Sequence, residues 1–199
     1  MLLPDPLGTD EQDWQPWLAG QLRETGREVR VVSWPEPAAA DLDSCLAVLR
    51  RGLAGLPDDG FDVLAHSTAC LLWLHHASRE DAGRNTDAGS DTDAGSSPRP
   101  ARVALVAPPA PDRQLPAWDF LRPVPLAVDA LRRAADGTVL VGGDDDPQCP
   151  GGVAHVYGAP LKMAATVIAG GGALTAAAGF GPWPAVLDWC GRDNLAFRA

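Results

Sequence analysis

Basic side chains are scarce in this chain: 16 lysines and arginines stand against 26 aspartates and glutamates, for a formal charge of −10. A surface of that sign repels phosphate backbones and anionic headgroups, so nucleic acid and membrane surfaces are not expected as partners. Long apolar runs are missing too. No stretch approaches the ~18 residues of a membrane span. The start, MLLPDPLGTDEQDW, has no basic region ahead of its short apolar stretch, so neither a signal peptide nor an anchor is expected. Cysteine is sparse, and Cys45, Cys70, Cys149 and Cys190 show no C-x-x-C or Cys/His ligand spacing. That pattern points to a reduced, cytoplasmic protein whose thiols are small buried hydrophobes. Nothing supplies the spaced oxygen ligands of a calcium loop. No metal and no cofactor is expected.

What is present is globular material. With 46% hydrophobic residues the chain has enough apolar surface to offset its ordering entropy, and its 199 residues suit one domain, 1–199. Strand and helix patterns alternate. Trp14 to Thr25 places Trp14, Trp17, Leu18 and Leu22 on one helical face; Glu28 to Ser33 (EVRVVS) reads as a β-branched strand; Leu42 to Leu56 reads as a helix. Phe61 to Ala65 is a short strand, and Ser67 to Ala77 (STACLLWLHHA) a buried helix that follows at once. Residues Ser78 to Pro100, with the near-duplicate TDAGSDTDAGS and almost no large apolar side chain, predict a disordered low-complexity insertion.

Further strands are predicted at Arg102 to Ala107, Thr138 to Gly142 and Ala165 to Ala169, with helices at Ala127 to Ala134, near Val153 to Gly158, and at Trp183 to Cys190. Near-continuous apolar strands alternating with helices indicate an α/β fold, a mostly parallel sheet covered on both faces in three layers. In such a sheet ligands bind beyond the carboxyl ends of the strands, so chemistry is sought in the loops that follow them.

Three of those loops carry information. At Ala65 to Ala69 (AHSTA) a strand turns sharply into a helix with Ser67 at the tip. There its Oγ could act as a nucleophile, with the Thr68 N–H donating to an oxyanion. A plain helix N-cap is the alternative reading of that serine. Both glycines of the usual G-x-S-x-G pattern are alanine, and the added methyls are expected to strain the close approach of strand and helix. The second loop, DDDPQCP at Asp144 to Pro150, places an acid after the serine in the order this chemistry needs, with Asp146 the candidate. On the residues alone, three consecutive acids read first as a solvated loop or a weak cation site. The third, Gly170 to Pro184 (GGGALTAAAGFGPWP), is where a triad histidine would stand, and it has none. Of the four histidines, His66 adjoins the serine but is expected to point away from the turn. His75 and His76 lie well into the next helix, and His155 sits past the acid loop; packing or surface roles are expected for all four.

These motifs resemble a family of small single-domain α/β-hydrolases, that of retinoblastoma-binding protein 9 and related bacterial serine esterases. The resemblance rests on WQPWLAGQL (Trp14 to Leu22), AHSTA, DDPQCP (Asp145 to Pro150) and GALTAAAGFGPWP (Gly172 to Pro184), in the family's order and covering nearly the whole chain outside Ser78 to Pro100. It implies the α/β-hydrolase fold, Ser67 as nucleophile and Asp146 as the triad acid, and it puts Ala173 where the general base should be. The first-strand loop that supplies an oxyanion donor in relatives reads PDPLG at Pro4 to Gly8, with two prolines that have no N–H to give.

Loss of a triad histidine lowers turnover on the order of a million-fold, so the expectation is a degenerate serine-esterase-like site with activity weak or lost. His155 is the least implausible substitute base. The alternative is a catalytically inactive relative, a pseudoenzyme that binds a ligand or partner in the pocket above Ser67. The expected partner is a small ester, a hydrophobic ligand or another protein. Trp118, in the proline-rich stretch after VAPP, is a candidate wall of that pocket; the remaining tryptophans read as core.

Overall fold

The computed structural model of the chain describes residues 1–57, 60–86 and 97–191, the side chains of 38 and 84–86 aside. Its centre is one sheet of five parallel strands in the order β1 (Leu2–Leu3), β2 (Asp62–His66), β3 (Arg102–Val106), β4 (Gly137–Gly143) and β5 (Ala165–Ile168). Register is continuous from strand to strand: Leu3 pairs with Ala65, Ala65 with Leu105, Leu105 with Leu140, and Leu140 with Ala165. The carboxyl ends of the strands are thereby brought to one edge.

Side chains alternate across this sheet, which divides the core in two. Leu3, Val63, Ala65, Val103, Leu105 and Leu140 face one way and pack with α2 (Leu42–Leu53), α3 (Thr68–Thr86) and α4 (Val128–Ala134). Leu2, Leu64, Ala104, Val106 and Val141 face the other way, against α1 (Trp14–Glu24) and α6 (Pro184–Cys190). The three-layer α/β-hydrolase architecture is this arrangement. A π-helical turn at Ala154–Gly158 runs into the short α5 (Ala159–Leu161) before β5.

Two expectations need correction. The strand expected over Glu28 to Ser33 is a single bridge, Val31 with Leu2, flanked by Leu2 N–H to Arg30 O at 2.7 Å and Val32 N–H to Leu2 O at 3.0 Å. Its partner β1 is cut short by Pro4, which has no N–H to extend the ladder. The second correction concerns Ser78 to Pro100. Its first part, Ser78 to Thr86, is not a loop but the continuation of α3. Arg79 pairs with Asp43 of α2, Arg50 with Glu80, and Arg133 of α4 with Asp81, so polar pairs clamp a segment that has little apolar surface of its own. The TDAGSDTDAGS duplicate lies largely outside the described residues.

α2 shows why its boundary is sharp: Ser44 N–H donates to Asp41 Oδ1 at 2.7 Å while Asp41 N–H returns a bond to Ser44 Oγ at 3.0 Å. This reciprocal cap satisfies two helix-end donors at once. Beyond Leu53 the chain turns through Gly55, at φ +73°, earlier than the periodicity of Leu56 predicts.

Candidate active site

The crest of the sheet is shaped first by the exit from β2. Ser67 follows His66 directly and Thr68 begins α3, so one residue makes the whole turn, and it does so with φ +53°. Left-handed backbone costs a residue with a Cβ about 1–2 kcal/mol, so the surrounding contacts must hold it there. They are Ser67 N–H to Val106 O at 2.9 Å and Cys70 N–H to Ser67 O at 3.0 Å. Ala65 and Ala69, the alanines in place of glycine, are both fully buried in the core. The expected distortion is absent: their methyls are absorbed by packing and the sharp turn survives. No protein group among the described residues hydrogen-bonds Ser67 Oγ, which leaves the hydroxyl free for a ligand.

Thr68 is buried, and its Oγ1 has no hydrogen-bond partner among the described residues. Its backbone N–H belongs to the first turn of α3, where helix N–H groups have no intrahelical acceptor. This is the donor that sequence reasoning assigned to an oxyanion.

The three acids after β4 divide their tasks. Asp144 Oδ1 accepts the N–H of Gly170 at 2.8 Å and Asp145 Oδ1 that of Gly172 at 2.7 Å, so both hold the loop after β5. Asp146 turns inward and is only 2% exposed. Its Oδ1 accepts the Gln148 N–H at 2.8 Å, while Oδ2 is buried with no partner among the described residues. Burial pushes this carboxyl above the usual aspartate range; the Gln148 hydrogen bond and the charges of His66 and Arg113 pull it back, and Asp145 adds to the push. No cluster of three or more His, Cys, Asp or Glu suited to a metal occurs among the described residues.

The loop after β5 is anchored at two further points. Asp13, ahead of α1, accepts the Ala176 N–H on Oδ1 at 2.7 Å, and His66 Nε2 lies 3.0 Å from the Ala173 carbonyl oxygen. The loop also lies close against the end of β4, where a Cβ on Gly143 would stand 2.3 Å from Gly172 O. Ala173 itself is half-buried.

A cavity of about 150 Å³ unites these parts, with Asp5, His66, Ser67, Thr68, Gln148 and Ala173 among its walls. Larger hollows, of about 260 and 350 Å³, lie around Met1 and Asp62 at the opposite ends of the strands and beneath Trp34. The smaller cavity lies beside the strained serine at the carboxyl ends of the strands, which is where a sheet of this kind places its chemistry.

His66 is the main departure from expectation. Its ring does not point away: it lines the cavity, with Trp14 edge-on at a centroid distance of 5.5 Å. The other histidines stay outside. His75 Nε2 bonds the Leu121 carbonyl at 2.7 Å, and burial lowers its pKa; His76 lies 3.8 Å from Glu80; His155 is exposed on the turn before α5. Trp118 is fully buried against Phe120 in the core and is not among the cavity's walls. All four cysteines are free and buried, and burial raises the thiols, those of Cys45 and Cys149 to about 11.

Two contributors escaped the sequence reading. Asp13 binds a residue 163 positions away, and no local spacing announces it. Asp5 stands between the two prolines of the first loop and lines the cavity. Leu7 N–H bonds Asp5 Oδ1 and Gly8 N–H bonds Asp5 O, so among the described residues the Asp5 N–H is the donor of that turn not committed internally.

A five-stranded parallel sheet with a serine held in left-handed backbone at the turn out of its second strand is the architecture of an α/β-hydrolase. The chain belongs to the serine hydrolase family, whose model matches residues 1–191. Among solved structures it is similar to the ydeN gene product of B. subtilis, with 18% identity, a TM-score of 0.71 and 94% of each chain covered. It is also similar to a protein described as a YdeN-like hydrolase from Pectobacterium atrosepticum, with 22% identity, a TM-score of 0.67, and coverage of 95% of this chain and 86% of the other. No curated protein matches the chain.

Proposed function

We propose that this protein is an esterase-like serine hydrolase with a degenerate active site, in which Ser67 is the nucleophile, Asp146 the triad acid and the Thr68 N–H an oxyanion donor. Ala173 takes the histidine's position, and the chain's own turnover is weak or lost. The observation that carries this reading is the left-handed backbone at Ser67. Strain of that kind is retained where surrounding structure over-determines it, and here it lifts a hydroxyl with no protein partner into the cavity beside the first N–H groups of α3.

In the chemistry this geometry supports, Ser67 Oγ attacks a carbonyl carbon and the developing oxyanion accepts the Thr68 N–H, with the Asp5 N–H as a second donor. Such preorganised donors account for ~10²–10³ each in rate. Among the described residues no proton acceptor is hydrogen-bonded to Ser67 Oγ: His155 is exposed and apart from the cavity, and His66, which lines the cavity, spends Nε2 on Ala173 O and keeps its ring lone pair on Nδ1. The substrate is a small ester or a small hydrophobic molecule, in keeping with the cavity's modest size. The four free thiols favour a reducing, cytoplasmic setting, and the net negative charge argues against nucleic acid and membrane partners. No helix among the described residues is long and apolar enough to cross a membrane.

The second reading, an inactive relative that binds a ligand or protein through this cavity, is favoured by one specific observation: the cavity wall at position 173 is an alanine, which has no group to take a proton. A fluorophosphonate probe separates the two. Slow labelling that maps to Ser67 and disappears in Ser67→Ala supports the hydrolase; complete inertness at high probe concentration leaves the binding role.

A further inference from the structure

We propose that the hollow beneath Trp34 binds an organic cation, an alkylated ammonium group, and that it is the second subsite for an ester whose carbonyl is held at Ser67. The second half rests on the hydrolase reading above; the first half does not.

Asp5 is where the two hollows meet. It lines the cavity at Ser67, of about 150 Å³, and also the groove beneath Trp34, of about 350 Å³. Small-molecule sites begin at ~300 Å³, so the groove is large enough to recognise a ligand and the cavity alone is not. A ligand seated in the groove and reaching past Asp5 arrives at the serine.

The walls of the groove are mostly apolar. Five prolines, Trp34 and Val31 contribute to them. The prolines carry a fixed φ, and Trp34 Nε1 donates to the Pro4 carbonyl at 2.7 Å, which ties one wall to the other. A wall set in advance loses little freedom when a ligand binds. Three large apolar side chains are exposed among the described residues, and two of them stand here: Val31, 47% exposed, in the groove, and Leu7, 49% exposed, in the adjoining cavity. Apolar surface left open at a concave place marks a binding site more than scattered surface residues do.

Charge then selects the ligand. Asp5, Glu11 and Glu36 stand among the same walls, and none of the described residues lining the groove is Lys or Arg. No ion pair joins any of the three carboxylates to a described residue. An anion is disfavoured and a cation is drawn in. That cation is not a metal ion, because no group of three or more His, Cys, Asp or Glu suited to one occurs among the described residues. A primary ammonium carries three donors that each need an acceptor, which walls of proline and indole carbon do not supply. An alkylated ammonium has fewer donors or none. Its methyl groups pack on the prolines, and Trp34, whose N–H is spent on Pro4, offers ring carbon to the charge.

Choline is the probe, with its uncharged carbon isostere 3,3-dimethylbutanol as the control, and binding is followed by protein NMR. The expected result is saturable choline binding with shifts at Thr9, Val31 and Trp34, roughly fivefold or more tighter than the isostere, as the sum of ring and carboxylate attraction. The double variant Glu11→Gln/Glu36→Gln should bring the two affinities together, and Val31→Lys, which puts a cation in the groove, should abolish choline binding. All three positions are exposed, so these changes leave the fold intact. Absence of saturable choline binding, equal affinity for the isostere, or unchanged affinity in either variant overturns the proposal. The link to Ser67 is read from protection. Acetate esters of trimethylammonio alcohols, with chains of two to six methylenes, should slow fluorophosphonate labelling of Ser67 at lower concentration than their carbon isosteres. Equal protection across the whole series overturns the link. Labelling of Ser67 without choline binding leaves the hydrolase reading standing and removes this one. Choline binding without labelling keeps the cation site and removes the hydrolase reading.

Discussion

His66 Nε2 donates to the carbonyl oxygen of Ala173 over 3.0 Å, so the histidine next to Ser67 is bonded to the loop that follows β5. A carbonyl only accepts, which fixes the ring proton on Nε2. The bond orients the ring and leaves its lone pair on Nδ1, and His66→Phe should lower stability by about 0.5–1.5 kcal/mol, the usual worth of one hydrogen bond. The pH profile of Ser67 labelling should keep its shape in that variant. A profile that loses an inflection would instead mark His66 as a base.

Ala173→His tests the proposal that alanine occupies the position of a general base. The loop around position 173 is held by Asp13, Asp144 and Asp145 through its backbone, so the new side chain enters a preset frame. Labelling of Ser67 by fluorophosphonate should accelerate at least ~100-fold, a fraction of the full loss a missing histidine causes. No acceleration, in a variant shown to be folded, would indicate that the alanines of the elbow or the proline-bearing first loop have also disabled the site.

Asp146→Asn should stabilise the fold at neutral pH. Burial raises the folded-state pKa of Asp146 above its unfolded value, so the favourable protonated state is fully present below the unfolded pKa and is lost as pH rises through the folded one. Above that window the wild type carries a buried charge that asparagine removes while its side-chain oxygen still accepts the Gln148 N–H. The expected gain is on the order of 1 kcal/mol, or ~2–4 °C in Tm, at pH 7, shrinking as the pH is lowered toward the acid range. A gain that is flat with pH would mean the charge is not its source.

Ser67→Gly should raise stability by up to about 1 kcal/mol, because glycine adopts φ +53° without the penalty a Cβ brings. Ser67→Ala keeps the Cβ and should leave stability close to the wild type. Denaturant midpoints of the two variants decide the matter.

Gly143→Ala should be among the most harmful small changes near the site. The new methyl would lie 2.3 Å from Gly172 O and 2.6 Å from Gly172 N, and backbone atoms cannot rotate aside. A loss of ~1–3 kcal/mol is expected, as for other overpacked positions, together with altered NMR shifts across residues 170–176. Unchanged shifts there would contradict the close packing of strand and loop.

Much of this was readable in the residues alone, and the reasons differ by element. The strands announced themselves because both of their faces are buried, which leaves near-continuous apolar runs such as RVALV. The elbow was legible from the abrupt change at His66 and Ser67, and Asp146 from its place after β4. Illegible features depend on partners far away in sequence. The continuation of α3 through Ser78 is held by Asp43 and Arg133 on other helices, and no local pattern encodes that. The direction of His66 is set by Ala173 and Trp14, 107 and 52 positions distant. Trp118 looked like a pocket wall because proline-rich loops often line clefts; its ring instead fills the core beside Phe120.

The backbone anchors around Ala173 have a consequence for engineering. Asp13, Asp144 and Asp145 grip the main chain of the loop at 176, 170 and 172, and His66 grips it at 173 through the carbonyl, so none of them reads the side chain at 173. Position 173, which lines the same cavity as Ser67, is thus an interchangeable mount, where glutamate, lysine or cysteine can be installed without touching those anchors. A single-site library would then rank proton acceptors against one fixed nucleophile, a comparison that natural triads, each tuned around its own histidine, do not permit.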